Sequence, residues 1–435
     1  MSFRPPRRAL GLLLPVLLLV ACARDAQAPQ SQAFTRVAPW ILPIDGQAAH
    51  PDLTTTPSGG LLLSWVAPSG DGEHTLYLST TPGDAAAGAA PWTPAAKVAS
   101  GSNWFLNWAD TPHVFALADG SLWAHWLRST GPARMDYGID LVRSEDGGRT
   151  WSPPRMVNLE HSRGDHGFVT FWRQADDRLG MAWLDSRQRA ARMADAGTGH
   201  AAHAAADTHQ HHGQDAMMLR AAIYDGEGEK QQEWPLDEST CDCCTTSSAV
   251  TDRGVVVVYR GRSSEEIRDT RLVRFDGSTW SAPREVHADG WKIAGCPVNG
   301  PVVAARGNTL WVAWYTEADG LPELRAARSD DAGDSFAPPV TIASGAPVLG
   351  RAGIAVADDH VLIAWLEEAA DQSQRMVLGR YDLALGAAQR TEAGVLAARG
   401  RASGMPRLAV AGDAAWLVWT DVVDGAPVIR GAQVR

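Results

Sequence analysis

Short apolar runs ending in an aromatic residue recur seven times in this 435-residue chain. The first is Leu61-Leu62-Leu63-Ser64-Trp65; the others occupy residues 122–126, 179–183, 255–259, 310–314, 361–365 and 415–419. Six end in Trp and one in Tyr259, and most follow a turn bearing Gly, Asp or Asn, such as Ser58-Gly59-Gly60 or Ala118-Asp119-Gly120. Such a turn between two apolar runs marks a hairpin. A further apolar strand precedes each turn, as at residues 114–117 and 302–305, and a third strand follows each aromatic, as at residues 74–79 and 324–327. Groups of three or four short strands repeated every roughly 50–75 residues, without a helical period, are the pattern of a β-propeller. One such group cannot bury both of its faces, so copies must stack around an axis. The expectation is an all-β chain forming a single β-propeller of seven blades, or six if one copy is irregular. The last copy stops after its third strand, at residues 427–434, and residues 34–43 form a spare strand before the first copy. That spare strand completes the last blade as its outer edge and hides two open edges at once.

The Trp usage fits this reading. Eighteen Trp stand against six Tyr and eight Phe, and their repeated position in the strands assigns them to the packing between blades rather than to a carbohydrate platform.

A second motif repeats out of step with the first. Ser144-Glu145-Asp146-Gly147-Gly148-Arg149-Thr150-Trp151 and Ser329-Asp330-Asp331-Ala332-Gly333-Asp334-Ser335-Phe336 share the pattern Ser-x-Asp-x-Gly-x-x-aromatic, and Asp276-Gly277-Ser278-Thr279-Trp280 is a reduced copy. In such a turn Asp accepts backbone N–H bonds, Gly takes a positive φ, and the aromatic plugs between strands. The motif resembles the Asp-box of the sialidase (BNR-repeat) superfamily, carried here by Ser144, Asp146, Gly148, Trp151, Ser329, Asp331, Gly333 and Phe336. The resemblance implies a turn between the third and fourth strands of a blade, on the face opposite an active site. It would also imply three arginines that clamp a carboxylate, a Tyr nucleophile paired with Glu, and an Asp acid/base. The arginine of the family's Arg-Ile-Pro element has no counterpart in Phe34-Thr35-Arg36-Val37-Ala38-Pro39, and no arginine adjoins the acidic loop at residues 67–73. Arg187, Arg351 and Arg401 near strand ends do not assemble into a triad by sequence, and Tyr315 with Glu317 is the best available nucleophile pair. Fold does not carry activity, so exo-sialidase or related glycan hydrolysis is the alternative reading.

The first residues carry an address rather than a fold. Arg4, Arg7 and Arg8 precede an apolar run at residues 10–20, too short for a membrane-spanning helix. The run ends in Leu19-Val20-Ala21-Cys22, which resembles a bacterial lipobox. That resemblance implies a signal peptide over 1–21, lipidation of Cys22, a flexible tether over 22–33, and the propeller over 34–435. Ala23 after the cysteine favours the outer membrane, with the protein facing the periplasm as a monomer. The net charge of −11 leaves no surface to neutralise phosphates, which excludes nucleic acid as a partner.

Four of the five cysteines are Cys241, Cys243, Cys244 and Cys296. In propeller register the first three lie just before the inner strand of the fourth blade, and Cys296 just before that of the fifth. Both positions fall on one face near the axis. The same slot in other blades holds Asp110 and His113, Asp165 and His166, Arg351, and Met405. The third-blade insertion, with His200, His203, His209, His211 and His212 and Met217 and Met218 at its end, belongs to that face too. Two chemistries compete. An even number of cysteines in an oxidising envelope forms disulfides, with Cys241 or Cys244 bridged to Cys296. Alternatively, thiolates and imidazoles at Cys241, Cys243, Cys244, Cys296, His166, His209, His211 and His212 bind copper or zinc. His166, like His113, also has the ordinary role of a hydrogen-bonded residue at a strand start. The resulting expectation is an envelope lipoprotein that binds a soft metal or an envelope protein partner through this face.

Overall fold

The computed structural model describes residues 1–2, 34–83, 91–158, 163–188, 216–386, 388–401, 403 and 405–435. Most of the leader, the whole tether with Cys22, and all five histidines of the third-blade insertion lie outside these residues. Within residues 33–435 the chain forms seven antiparallel four-stranded sheets. Blade 1 holds β2 (Ala49–Thr55), β3 (Leu61–Gly70), β4 (Glu73–Thr80) and β5 (Ala96–Gly101). Blade 2 holds β6 (His113–Ala116), β7 (Leu122–Ser129), β8 (Tyr137–Ser144) and β9 (Arg155–Met156). Blade 3 holds β10 (His166–Gln174), β11 (Arg178–Asp185), β12 (Met217–Tyr224) and β13 (Lys230–Thr240). Blade 4 holds β14 (Ser247–Thr251), β15 (Gly254–Arg260), β16 (Thr270–Phe275) and β17 (Arg284–Glu285). Blade 5 holds β18 (Val302–Arg306), β19 (Thr309–Thr316), β20 (Glu323–Ser329) and β21 (Val340–Ser344). Blade 6 holds β22 (Val348–Val356), β23 (His360–Glu368), β24 (Gln374–Asp382) and β25 (Ala388–Leu396). Blade 7 holds β26 (Arg407–Ala411), β27 (Ala414–Val423) and β28 (Ala426–Val434), with β1 (Val37–Pro39) as its outermost strand.

All seven apolar–aromatic runs of the sequence are the second strand of their blade, so the repeat count is the blade count. The closure is as expected but shorter: β1 pairs antiparallel with β28, Val37 opposite Val434 and Pro39 opposite Ala432.

The hydrophobic core is divided between the blades. Seven buried clusters are present among the described residues, one at each junction between neighbouring blades. Trp311 and Trp365 fill the junction of blades 5 and 6, and Trp65 and Trp416 that of blades 1 and 7. The Trp series is therefore inter-blade core, as its spacing requires.

The Asp-boxes join the third and fourth strands of blades 2 and 5. In the first, Asp146 Oδ1 accepts from Arg149 N at 3.0 Å and Thr150 N at 2.9 Å, and Ser144 Oγ accepts from Gly148 N at 2.9 Å. In the second, Asp331 Oδ1 accepts from Ser335 N at 2.8 Å and Ser329 Oγ from Gly333 N at 2.9 Å. Gly333 has φ +86°, and a Cβ there would lie 2.9 Å from Leu272 Cδ1 of blade 4. Glycine thus supplies both the left-handed turn and the close approach to the next blade. Trp151 and Phe336 pack against the blade 1–2 and blade 4–5 clusters.

The first strands of the blades face the axis. Six of them, β2, β6, β10, β14, β22 and β26, line a central cavity of about 420 Å³ walled by Asp52, His113, Thr170, Ser248 and Arg407 among others. At the end where the chain enters these strands, the segment between β5 and β6 crosses the face and sets Trp108 under the Arg351 guanidinium of blade 6, 4.8 Å from its ring centre. This segment also places Asp110, whose Oδ1 accepts from Phe168 N at 2.7 Å and whose carboxyl burial pushes up to about 7.

Two substitutions separate core from turn. Trp314→Ala removes a fully buried indole and is expected to lower the unfolding free energy by about 3–5 kcal/mol. Ser329→Ala removes one buried turn acceptor and is expected to cost about 1 kcal/mol. Denaturant titration checks both; equal losses would mean that the junctions do not carry the stability.

Candidate metal centre

The cysteine motif sits where β13 ends and the chain turns inward to β14. Its backbone is tied on both sides. Cys241 N donates to Arg260 O at 2.9 Å, Thr240 Oγ1 donates to Met217 O at 2.9 Å, and Asp242 Oδ1 accepts from Met217 N at 3.1 Å. Asp242 thereby ties the motif to the end of the third-blade insertion. The turn directs Cys241 and Cys244 into the protein, where each is 1% exposed, while Cys243 is half-buried and Cys296 is exposed.

The sulfurs converge. Cys241 Sγ lies 3.8 Å from Cys243 Sγ and 3.6 Å from Cys244 Sγ, and Cys243 is the thiol that acts most strongly on Cys296. Among the described residues these three thiols, Cys241, Cys243 and Cys244, form the one set of three or more potential ligand atoms lying within 4.8 Å of one another. All four cysteines are free thiols, so none of the bridges weighed from the sequence is formed. Blades 4 and 5 bring Cys296 beside the motif, where Cys243 is the thiol that acts most strongly on it. Cys241 and Cys244 turn inward to the arginines described next, and Cys243 is left half-buried at the rim of the cluster.

Three guanidiniums surround this cluster, and sequence reasoning missed all of them. Arg260, Arg262 and Arg268 are each no more than 3% exposed. Arg268 Nη1 donates to Cys241 Sγ at 3.3 Å and its Nη2 to Glu266 Oε2 at 2.7 Å. Arg262 pairs with Glu266 at 2.8 Å and with Asp242 at 3.5 Å. Arg260 donates to the carbonyls of Arg268, Asn299 and Tyr315 and stacks over Trp291 at 4.8 Å. A buried charge without a counter-charge is costly. Glu266 and Asp242 pair with these cations, and Cys241 Sγ accepts from Arg268, an arrangement that favours the thiolate. Its acidity follows: the Cys243 and Cys244 sulfurs in contact with it, with Arg268 and Arg260 beside it, outweigh burial and hold Cys241 well below the ordinary thiol range. Cys243 is pushed up by the neighbouring sulfurs, burial pushes Cys244 up to about 12, and Cys296 is lowered chiefly by Cys243. The signal in the sequence was the charge alternation Arg260, Arg262, Glu266, Arg268 following an apolar strand directly after the cysteines, but nothing local says that those side chains turn inward.

His166 is not part of the cluster. It is fully buried, and its Nδ1 lies 3.3 Å from Asp185 Oδ1. Asp185 also accepts from Arg187 at 2.7 Å and from Trp183 Nε1 at 2.9 Å. Burial alone would raise the Asp185 carboxyl, but bonds from His166 and Arg187 hold it far below the carboxylate range. The pairing register sets His166 directly opposite Asp185 at the strand start, so His166 has the ordinary strand-start role. His113 likewise pairs with Asp52 at 3.1 Å. His209, His211 and His212 lie outside the described residues.

The arginines considered for a carboxylate clamp are divided. Arg187 is neutralised by Asp185 and Glu233. Arg351, in blade 6, donates to the Gly400 and Ser403 carbonyls and stacks on Trp108, and Arg401 beside it lowers its basicity further after burial, to about 10. Tyr315 does donate to Glu317, but burial and that carboxylate push the phenol up, away from the phenolate.

No protein-family profile matches the chain and no curated protein is detectably similar to it. Solved structures are similar in shape. A protein of unknown function from Dyadobacter fermentans is 12% identical over 92% of this chain and 98% of its own, with a TM-score of 0.49. The NanB sialidase of Streptococcus pneumoniae is 9% identical over 86% of this chain and 83% of its own, with a TM-score of 0.45. The endosialidase of phage phi92 is 10% identical over 92% and 69%, with a TM-score of 0.49. This likeness is one of fold alone.

The electrostatic account is checked through Arg268. Arg268→Met is expected to raise the Cys241 pKa, so the thiolate absorbance near 240 nm falls at neutral pH and its titration midpoint moves upward. An unchanged midpoint would show that the guanidinium does not hold the thiolate.

Proposed function

We propose that the protein binds one soft metal ion, copper(I) or zinc, at Cys241, Cys243 and Cys244, with Cys296 as a further sulfur donor. The observation that carries this reading is the spacing of the sulfurs. Around a tetrahedral ion with metal–sulfur bonds of about 2.3 Å, sulfurs lie about 3.8 Å apart. The two measured separations are 3.6 and 3.8 Å, so little movement separates the free cluster from a liganded one. Thiolates suit soft ions. Binding must strip protons from Cys243 and Cys244, and the positive charge of the bound ion would then offset the added negative charge. The His-rich insertion is rooted against Asp242 through Met217 and supplies imidazoles of its own in sequence. In this reading Cys22 carries a lipid anchor and the propeller works at the cell envelope, receiving or handing on metal; among the described residues no helix is long and apolar enough to cross a membrane.

Metal analysis of reduced protein purified beside a Cys241→Ser/Cys243→Ser/Cys244→Ser variant tests the reading. About one equivalent of metal in the first and at least a 100-fold weaker affinity in the second is the expected result. Equal, sub-stoichiometric metal in both refutes it.

Hydrolysis of an anionic glycan is the second reading, favoured by one observation: the Arg351 guanidinium meets no carboxylate among the described residues, and Gly350 brings this segment against Tyr315. A fluorogenic sialoside assay is expected to give no turnover. Turnover that Arg351→Ala abolishes would make this reading the correct one.

A further inference from the structure

The four sulfurs are ordered by depth as well as by distance. Cys296 is exposed, Cys243 half-buried, and Cys241 and Cys244 buried. Cys243 lies 3.8 Å from Cys241 and Cys241 lies 3.6 Å from Cys244, and Cys243 is the thiol that acts most strongly on Cys296. A continuous path of sulfurs therefore leads from solvent to a closed pair. None of the four cysteines belongs to the seven apolar clusters at the blade junctions.

We propose that this path performs two-electron thiol–disulfide exchange, with Cys296 receiving an external disulfide and the Cys241–Cys244 pair becoming the final protein disulfide. The proposal does not depend on the metal reading, although the sulfurs are shared.

The exchange balances in four displacements. Cys296 attacks one sulfur of the external disulfide, forming a mixed disulfide and expelling the first external thiolate. Cys243 attacks the Cys296 sulfur, forming a Cys243–Cys296 bond and expelling the second external thiolate. Cys241 attacks the Cys243 sulfur and returns Cys296 to the thiol. Cys244 attacks the Cys241 sulfur and returns Cys243 to the thiol. One external disulfide is reduced to two thiols, Cys241 and Cys244 are oxidised, and the two protons they lose end on the released thiols. Each transfer is thiolate attack on a neighbouring disulfide sulfur. A disulfide is about 2.05 Å long, so the 3.6 and 3.8 Å separations close by side-chain rotation while the hydrogen bonds of Asp242 and Thr240 to Met217 hold the backbone. Placement of Cys241 between Cys243 and Cys244 makes it the shared partner of both inner bonds.

The substrate chemistry is an accessible disulfide, small or polypeptide, because only Cys296 is exposed.

Reduced protein, freed of metal and kept in chelator without air, is mixed with glutathione disulfide, quenched in acid, alkylated and digested with trypsin. The three motif cysteines fall in one fragment, residues 231–253, and Cys296 in another, residues 293–306. The expected product has two glutathiones released per chain, an internal disulfide joining Cys241 and Cys244, and alkyl groups on Cys243 and Cys296. Cys296→Ser, a change at an exposed side chain, is expected to slow this oxidation at least 10-fold, and Cys243→Ser to stop it at glutathione on Cys296. A second arm replaces glutathione disulfide with a synthetic peptide closed by one disulfide; faster oxidation by the peptide assigns a polypeptide source, and slower oxidation a small one. Wild-type rates in Cys296→Ser, or glutathione accumulating on Cys296 of the unaltered protein without transfer, overturn the proposal. Because the protein is metal-free throughout, either result leaves the metal-binding test standing on its own.

Discussion

Everything in this molecule depends on burial between blades. A four-stranded sheet has two faces, and each blade covers them only by lying against its neighbours on both sides. The cores among the described residues are accordingly seven, one per junction, and they are built around the aromatic that closes the apolar run of each second strand. A ring of this kind is stable only when closed, which is the task of β1 against β28. Closure in turn puts the starts of all seven inner strands on one face around the axis. The segments that lead into those starts give only a few residues, such as Ala109 and Trp291, to the core, and the cysteines, the buried arginines and Trp108 all lie on them or beside them.

At the cysteine cluster the governing interaction is electrostatic. Arg260 and Arg268 are buried beside Cys241, and both favour the ionised form of that sulfur. The other thiols respond to their neighbours in turn: Cys243 and Cys244 are pushed up, while Cys296, acted on chiefly by Cys243, becomes more acidic. Four chemically identical side chains are thereby made different by position. The same arrangement serves metal ligation, where thiolate is the ligand, and sulfur exchange, where thiolate is the nucleophile.

Much of this was legible in the chain. The apolar–aromatic runs each became a second strand, Ser144 to Trp151 and Ser329 to Phe336 each became a turn between third and fourth strands, and the spare N-terminal strand closed the ring. These succeed because they are local: alternation, turn chemistry and a repeat are properties of a few consecutive residues. The placement of Cys296 in the blade next to the motif was also legible, since blade register follows from counting strands. The choice of Cys243 over Cys241 and Cys244 as its partner was not, because it turns on the orientation of successive side chains within one tight turn. His166 was drawn toward the ligand set by its slot, yet Asp185 opposite it in the neighbouring strand had already claimed it.

By itself, then, the sequence determined an all-β ring of seven blades, its mode of closure, and the face on which the thiols gather, because hydrophobic period and turn residues dictate strands and strands dictate the ring. Only the tertiary structure decided which sulfurs touch, that Arg260, Arg262 and Arg268 fold inward over them, and that Cys241 bears the charge. Those outcomes depend on side chains from two blades meeting across about sixty residues, from the motif to Asn299, and no local pattern encodes the sign or depth of a neighbour brought in from that distance.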